Sequence, residues 1–168
     1  MRLNLKDIIE IPGASVSFEC DVPNEDLDFP SIKQYEALPH AEGRVKNEAR
    51  VLHLTGTLTA DMLCICDRCG SEFPSTKVTE LDATIVESDE GADPELFVLD
   101  GDEIDLDEML TTLFVLDMET KFLCREDCKG LCPSCGKNLN LGPCECRKQL
   151  DPRFAVLEQL LDKDPNGK

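Results

Sequence analysis

The stretch Cys124-Arg-Glu-Asp-Cys128-Lys-Gly-Leu-Cys132-Pro-Ser-Cys135-Gly-Lys-Asn-Leu-Asn-Leu-Gly-Pro-Cys144-Glu-Cys146 holds six of the chain's ten cysteines within 23 residues. Such density asks for a ligand. Cys132-Pro-Ser-Cys135-Gly136 has the form of a metal knuckle, in which a tight turn points two thiolates at one ion and the following glycine relieves crowding of the backbone. A second knuckle of the same form, Cys66-Asp-Arg-Cys69-Gly70, lies upstream. With Cys124/Cys128 and Cys144/Cys146 these make eight cysteines in four close pairs, enough for two zinc sites of four thiolates each. Cys20 and Cys64 are left over, and both fall in alternating patterns where a cysteine is a small core residue.

Working outward, the 168 residues suffice for a core without disulfides. The first residues lack the apolar run of a signal peptide, and no stretch reaches the ~20 apolar residues of a membrane helix. A cytoplasmic protein without membrane contact is expected, where reduced thiols favour metal over disulfide. Charge is the other strong bound: 17 basic residues against 35 acidic give a net −18. Each zinc held by four thiolates adds about −2 more. So acidic a chain is a poor general binder of phosphate backbone. Fifteen of the acidic residues lie between Glu80 and Thr120, a span with no Lys or Arg. From Lys121 to Arg153 the balance reverses, with seven basic side chains against four acidic. Any contact with RNA is expected there, and a basic partner on the acidic span.

Read in order, residues 1–22 turn at Pro12-Gly13 and continue as a half-buried strand, Ser15–Cys20. Residues 22–40, with Pro23, Pro30 and Pro39, read as an irregular connection. Two strands are predicted next, Val45–Leu54 and Thr55–Cys64, the second leading into the Cys66 knuckle. Another strand from Glu72 to Val86 returns from it, so the knuckle caps a hairpin. Glu87–Glu95 reads as a solvated loop. A helix follows over 105–118. Asp105 is its N-cap with Glu108 at N3, and Met109, Leu110, Leu113, Phe114 and Leu116–Met118 form its apolar face. Asp151-Pro152 opens a short last helix with Phe154, Leu157, Leu160 and Leu161 as its stripe. The expected fold is α+β: an antiparallel sheet, one packed amphipathic helix and a C-terminal zinc-stapled segment ending in a short helix. Residues 1–123 form a β-rich acidic domain, and residues 124–168 a cysteine-rich segment packed on it.

Two partitions of the cysteines are open. In one, Cys66/Cys69 and Cys124/Cys128 share an ion while Cys132, Cys135, Cys144 and Cys146 close a local site. It is favoured because the eight residues between Cys135 and Cys144 close cheaply. In the other, the two CxxCG knuckles face each other as in a zinc ribbon. Paired knuckles favour zinc over iron–sulfur ligation. His40-Ala-Glu42 matches half of a zinc deaminase signature, but Ile65 and Leu131 replace the proline expected before the cysteine pairs. No phosphate loop, nucleophile elbow or H-E-x-x-H motif is present, and no catalytic site is expected.

Cys66-Asp-Arg-Cys69 with Phe73, Glu103-Ile-Asp-Leu106, the block from Cys124 to Asn140, Cys144-x-Cys146 and Asp151-Pro-Arg-Phe-Ala-Val-Leu157 together resemble the bacterial YceD family of large ribosomal RNA subunit accumulation proteins. The likeness runs from about Leu54 to Leu161. It implies a non-enzymatic ribosome-biogenesis factor supporting accumulation or processing of large-subunit ribosomal RNA, with that RNA, a pre-ribosomal large-subunit particle or a basic ribosomal protein as partner. Two rivals remain: a thiol redox protein using the Cys66/Cys69 pair, and a purely structural zinc module.

Overall fold

The computed structural model describes residues 1–25, 27–87 and 96–146. The expected loop over 87–95 and the last helix from Asp151 fall almost wholly or wholly outside them. The chain divides into two compact units, Met1–Cys128 and Lys129–Lys168, the second described as far as residue 146.

In the first unit the elements are β1 (Arg2–Asn4), α1 (Lys6–Ile9), β2 (Ser15–Asp21), β3 (Ile32–Tyr35), β4 (His40–Glu48), β5 (Val51–Ile65), β6 (Glu72–Val86), β7 (Phe97–Val98), β8 (Glu103–Asp105) and α2 (Leu106–Leu116). The main sheet runs β2-β4-β5-β6-β7 and is antiparallel except for the β6/β7 pair. Its spine is the β5/β6 hairpin, two strands of 15 residues paired from Leu52↔Ile85 to Ile65↔Glu72. The expected strand, knuckle, strand order is therefore present, with Cys66 and Cys69 in the turn.

Two expectations are corrected. The strand boundary lies at Ala49-Arg50, not at 54/55, and β5 runs unbroken through both predicted pieces. Ala49 and Arg50 have φ of 55° and 74°, which makes a two-residue turn of the twist hairpins prefer. Neither residue is the usual Asn or Gly, so the turn left no local signal. It is held by Asn47, whose Oδ1 accepts from the Arg50 amide. The same side chain donates to the carbonyls of Ile8 and Ile9, and it is fully buried. The second correction concerns residues 22–40. β3 pairs with β5 on the edge that β4 also uses, so 32–48 is one interrupted strand broken before Pro39.

Alternation along the strands places Leu54, Leu58, Ala60, Met62 and Cys64 of β5 and Leu81 and Ile85 of β6 in the core. α2 covers them with Leu106, Met109, Leu110 and Phe114. Asp105 caps this helix by accepting from the amides of Asp107 and Glu108, as its sequence predicts. Its apolar stripe is shifted from the expected one: Leu106 is buried and Leu116 is 77% exposed. No basic residue occupies the last turn of α2. Lys77 supplies the charge from β6, with Nζ 2.8 Å from the Asp117 carbonyl and 2.9 Å from its carboxylate. Burial disfavours the Lys77 cation, but Asp117 and Glu119 outweigh it and raise the pKa.

The acidic span is likewise partly neutralised from a distance. β1 pairs with β8, so that Arg2 meets Asp100 at 2.8 Å and the Met1 amino group meets Asp107.

Candidate metal centres

The eight predicted ligands come together in two groups of four, Cys66/Cys69/Cys124/Cys128 and Cys132/Cys135/Cys144/Cys146, with the Sγ atoms of each group within 4.8 Å of one another. This is the first of the two partitions. The ribbon-like alternative, with the knuckles facing each other, is not formed. Cys64 lies in the hydrophobic core and Cys20 packs against it. His40 bonds Asp21 on the sheet and belongs to neither thiol group, so the half-signature His40-Ala-Glu42 has no cysteine partner among the described residues.

Both knuckles are built the same way. In the first, the Cys66 amide donates to the Ser71 carbonyl at 2.9 Å and the Gly70 amide to the Cys66 carbonyl at 2.8 Å. In the second, Cys132 donates to Lys137 and Gly136 to Cys132, each at 2.9 Å. Gly70 and Gly136 have φ of 67° and 72°, a left-handed conformation that glycine takes at no steric cost. The spacing CxxCG thus dictates a local loop that turns backbone N–H groups toward the first sulfur.

Those amides have an electrostatic effect. Burial opposes ionisation of Cys66, but the N–H groups of Cys124, Arg68 and Cys69 prevail and bring its thiol down to about 6. The amides of Cys135 and Ser134 bring Cys132 down to about 6 in the same way. Burial and the neighbouring Cys66, Cys69 and Cys128 push Cys124 up to about 12. The Cys135 side chain, followed by burial, pushes Cys146 up to about 12. Four thiols this close cannot all ionise against their mutual repulsion unless a cation joins them, and a dication removes the conflict.

The distances fit one. Cys66 Sγ lies 3.8 Å from Cys128 Sγ, and Cys69 Sγ lies 3.7 Å from Cys124 Sγ. Four sulfurs at the zinc–thiolate distance of ~2.3 Å in a tetrahedron are separated by about 3.8 Å.

The first group depends on residues that spacing alone does not reveal. Ser31 donates to Asp67 Oδ1 and the Phe122 amide to Asp67 Oδ2, both at 2.7 Å, while the Asp67 amide donates back to the Phe122 carbonyl. Arg68 reaches the Cys128 carbonyl at 3.1 Å. The two residues between Cys66 and Cys69 therefore clamp the returning chain and set Cys124 and Cys128 opposite the knuckle. Ser31 first and Phe122 second hold the Asp67 carboxyl below its ordinary range. The only hint in the sequence was two charged residues inside a knuckle.

The second group closes within its own unit. Leu131 pairs with Asn138, the Leu139 amide donates to Gly130, and Asn140 Oδ1 accepts from the Lys129 amide. Lys137 Nζ donates to the Pro143 carbonyl at 2.8 Å, bracing the loop that brings Cys144 back.

The family described as "Large ribosomal RNA subunit accumulation protein YceD" matches residues 54–161, a span beginning in β5 and including both thiol groups. An uncharacterized protein of Mycobacterium tuberculosis is 30% identical over 130 residues, 74% of this chain and 63% of that protein. The chain thus spans under two thirds of the length of its mycobacterial relative. The uncharacterized protein YlbN of Bacillus subtilis is 25% identical over 98% of both chains. A protein of Arabidopsis thaliana named "Large ribosomal RNA subunit accumulation protein YCED homolog 1, chloroplastic" is 34% identical over 62 residues, 36% of this chain and 19% of that one. No solved structure matches at a significant level. Among the described residues no helix is long and apolar enough to cross a membrane.

Proposed function

The chain belongs to the YceD family, and from that premise we propose that it is a non-enzymatic ribosome-biogenesis factor supporting accumulation or processing of large-subunit ribosomal RNA. Each thiol group holds one zinc ion, the first through Cys66, Cys69, Cys124 and Cys128 and the second through Cys132, Cys135, Cys144 and Cys146. The ions act as structural staples, with all four positions filled by protein. The zinc-bearing segment contacts ribosomal RNA or a ribosomal protein in the cytoplasm. The acidic span receives a basic ribosomal protein, with Asp102 and Glu108 among its carboxylates that have no ion pair among the described residues.

The observation that carries this reading is the extent of the family match, whose residues 54–161 take in both thiol groups and the strands that position the first. The test is sedimentation of the tagged full-length protein in a cell-lysate gradient, with large-subunit RNA and its precursors followed across the fractions. Co-migration with large-subunit precursors, and a fall in that RNA when the protein is depleted, is the expected result. Unchanged RNA on depletion would sink the proposal. Neutralising Asp102 and Glu108 should weaken the association most at low salt, where surface charge is least screened.

A further inference from the structure

The two thiol groups differ in what a small reagent can reach. Cys66, Cys69 and Cys128 are 1%, 6% and 4% exposed, and Phe73 and Leu123 pack against them. In the second group Cys135 and Cys146 are exposed and Cys144 is half-buried, leaving Cys132 as the one buried thiol. Attack by a thiolate requires in-line approach of the reagent to sulfur, so susceptibility follows exposure as well as thiolate character.

Resting on the reading that each group holds a zinc ion, we propose that the second is an oxidant-responsive centre, where a hydroperoxide converts Cys135 and Cys146 to a disulfide and frees the metal while the first centre keeps its own. One exposed thiolate attacks a peroxide oxygen. The O–O bond breaks, a sulfenic acid forms, and the departing oxygen leaves as water after taking a proton. The other thiolate attacks the sulfenic sulfur, forming the S–S bond and expelling hydroxide, which takes a second proton. Two thiolates, one hydrogen peroxide and two protons thus give one disulfide and two waters. The Sγ atoms start within 4.8 Å of each other, so the bond needs only a local closure to ~2 Å. Cys132 and Cys144 remain, half of the ligands that held the ion. The first centre has no exposed pair to begin the sequence, and Asp67 and Arg68 hold residues 122–128 closed over it.

The experiment uses the zinc-loaded full-length protein and one equivalent of hydrogen peroxide. Released zinc is read with a chromogenic chelator, and the cysteines are mapped by alkylation and peptide mass spectrometry. The expected outcome is two zinc ions per chain at the start and loss of one. A Cys135–Cys146 disulfide should form at least about tenfold faster than any oxidation of Cys66, Cys69, Cys124 or Cys128. Dithiothreitol with zinc should restore the original content. Two ions at the start followed by equal loss from both centres, or earlier oxidation in the first, would overturn this inference and leave the two-zinc reading standing. A chain that binds no metal in either group would overturn both.

Discussion

The two CxxCG knuckles share the same hydrogen bonds and nearly the same glycine torsion, yet one is buried and the other open. The first caps a hairpin of two 15-residue strands and takes its remaining ligands from chain more than fifty residues away, tied down by Asp67 and Arg68. The second takes its remaining ligands from the next few residues and is braced by Asn138, Asn140 and Lys137. Loop-closure entropy grows with separation, so a metal spanning the longer loop constrains the unfolded chain more. With zinc bound as proposed, one spacing would serve two uses: a staple of the β unit, and a local fold assembled around the metal.

The largest effect expected from this contrast is on Cys66→Ser against Cys132→Ser. Losing a structural zinc removes folding free energy outright. Cys66→Ser should lower the metal content from two to one and lower the melting temperature of the sheet followed by circular dichroism. Cys132→Ser should also lose one ion yet leave that temperature unchanged. Equal melting behaviour would break the comparison. Cys64→Ser is the control, since a core residue rather than a ligand should leave both ions bound.

Next comes Asn47→Ala, which removes the side-chain bonds to the Ile8 and Ile9 carbonyls and to the Arg50 amide, while the Ile8 carbonyl keeps its bond from the Ile11 amide. At about 1–3 kcal/mol for buried groups left unpaired, denaturant unfolding of the sheet should show a loss of that order. Zinc release from the second centre to a chelator should not change.

Asp67→Asn sharpens the contrast from the other side, by weakening the clamp while leaving all four ligands. Partners that orient ligands are typically worth ten- to a hundredfold in metal affinity, so chelator competition should show at least about a tenfold loss at the first centre and none at the second. The pH dependence has a definite sign. The folded Asp67 carboxyl titrates below its ordinary value, so its contribution is present above that value and is lost as pH falls through the lowered one. In the metal-free chain the stability difference between wild type and Asp67→Asn should close over that acidic window.

The smallest effect is on the glycines. A Cβ at Gly70 or Gly136 would meet nothing within 4 Å, so alanine pays only for the left-handed backbone, about 1–2 kcal/mol. The two substitutions should cost the same, as judged by zinc affinity of each centre, because this part of the design is local to both.

Legibility followed the same division between local and distant causes. The hairpin carrying the first knuckle was readable because alternation along Leu52–Cys64 and Leu81–Ile85 continues on both sides of Cys66. The cap at Asp105 was readable because it depends only on the amides two and three positions further on. The Ala49-Arg50 turn was not, because its positive φ values are stabilised by Asn47 and the α1 carbonyls rather than by turn-forming residue types. β3 was hidden among prolines, and only its partner β5 makes a strand of it. Leu116 fitted the helical period, but the packing of α2 on the sheet turns it outward.

By itself, then, the amino-acid sequence determined the knuckles, their glycine turns, the amphipathic helix with its cap, the acidic balance and the family. The knuckles, turns and cap follow from residue types within a few positions of one another, and the acidic balance and the family from residue types taken along the chain. Tertiary structure alone decided which pairs of cysteines meet, which group is shielded, and which charges are answered from across the chain. Those outcomes depend on strand register, and a one-residue slip in β5 against β6 would turn every inward side chain to the other face. No short stretch of sequence holds that information, because it is set by the burial of the whole core at once.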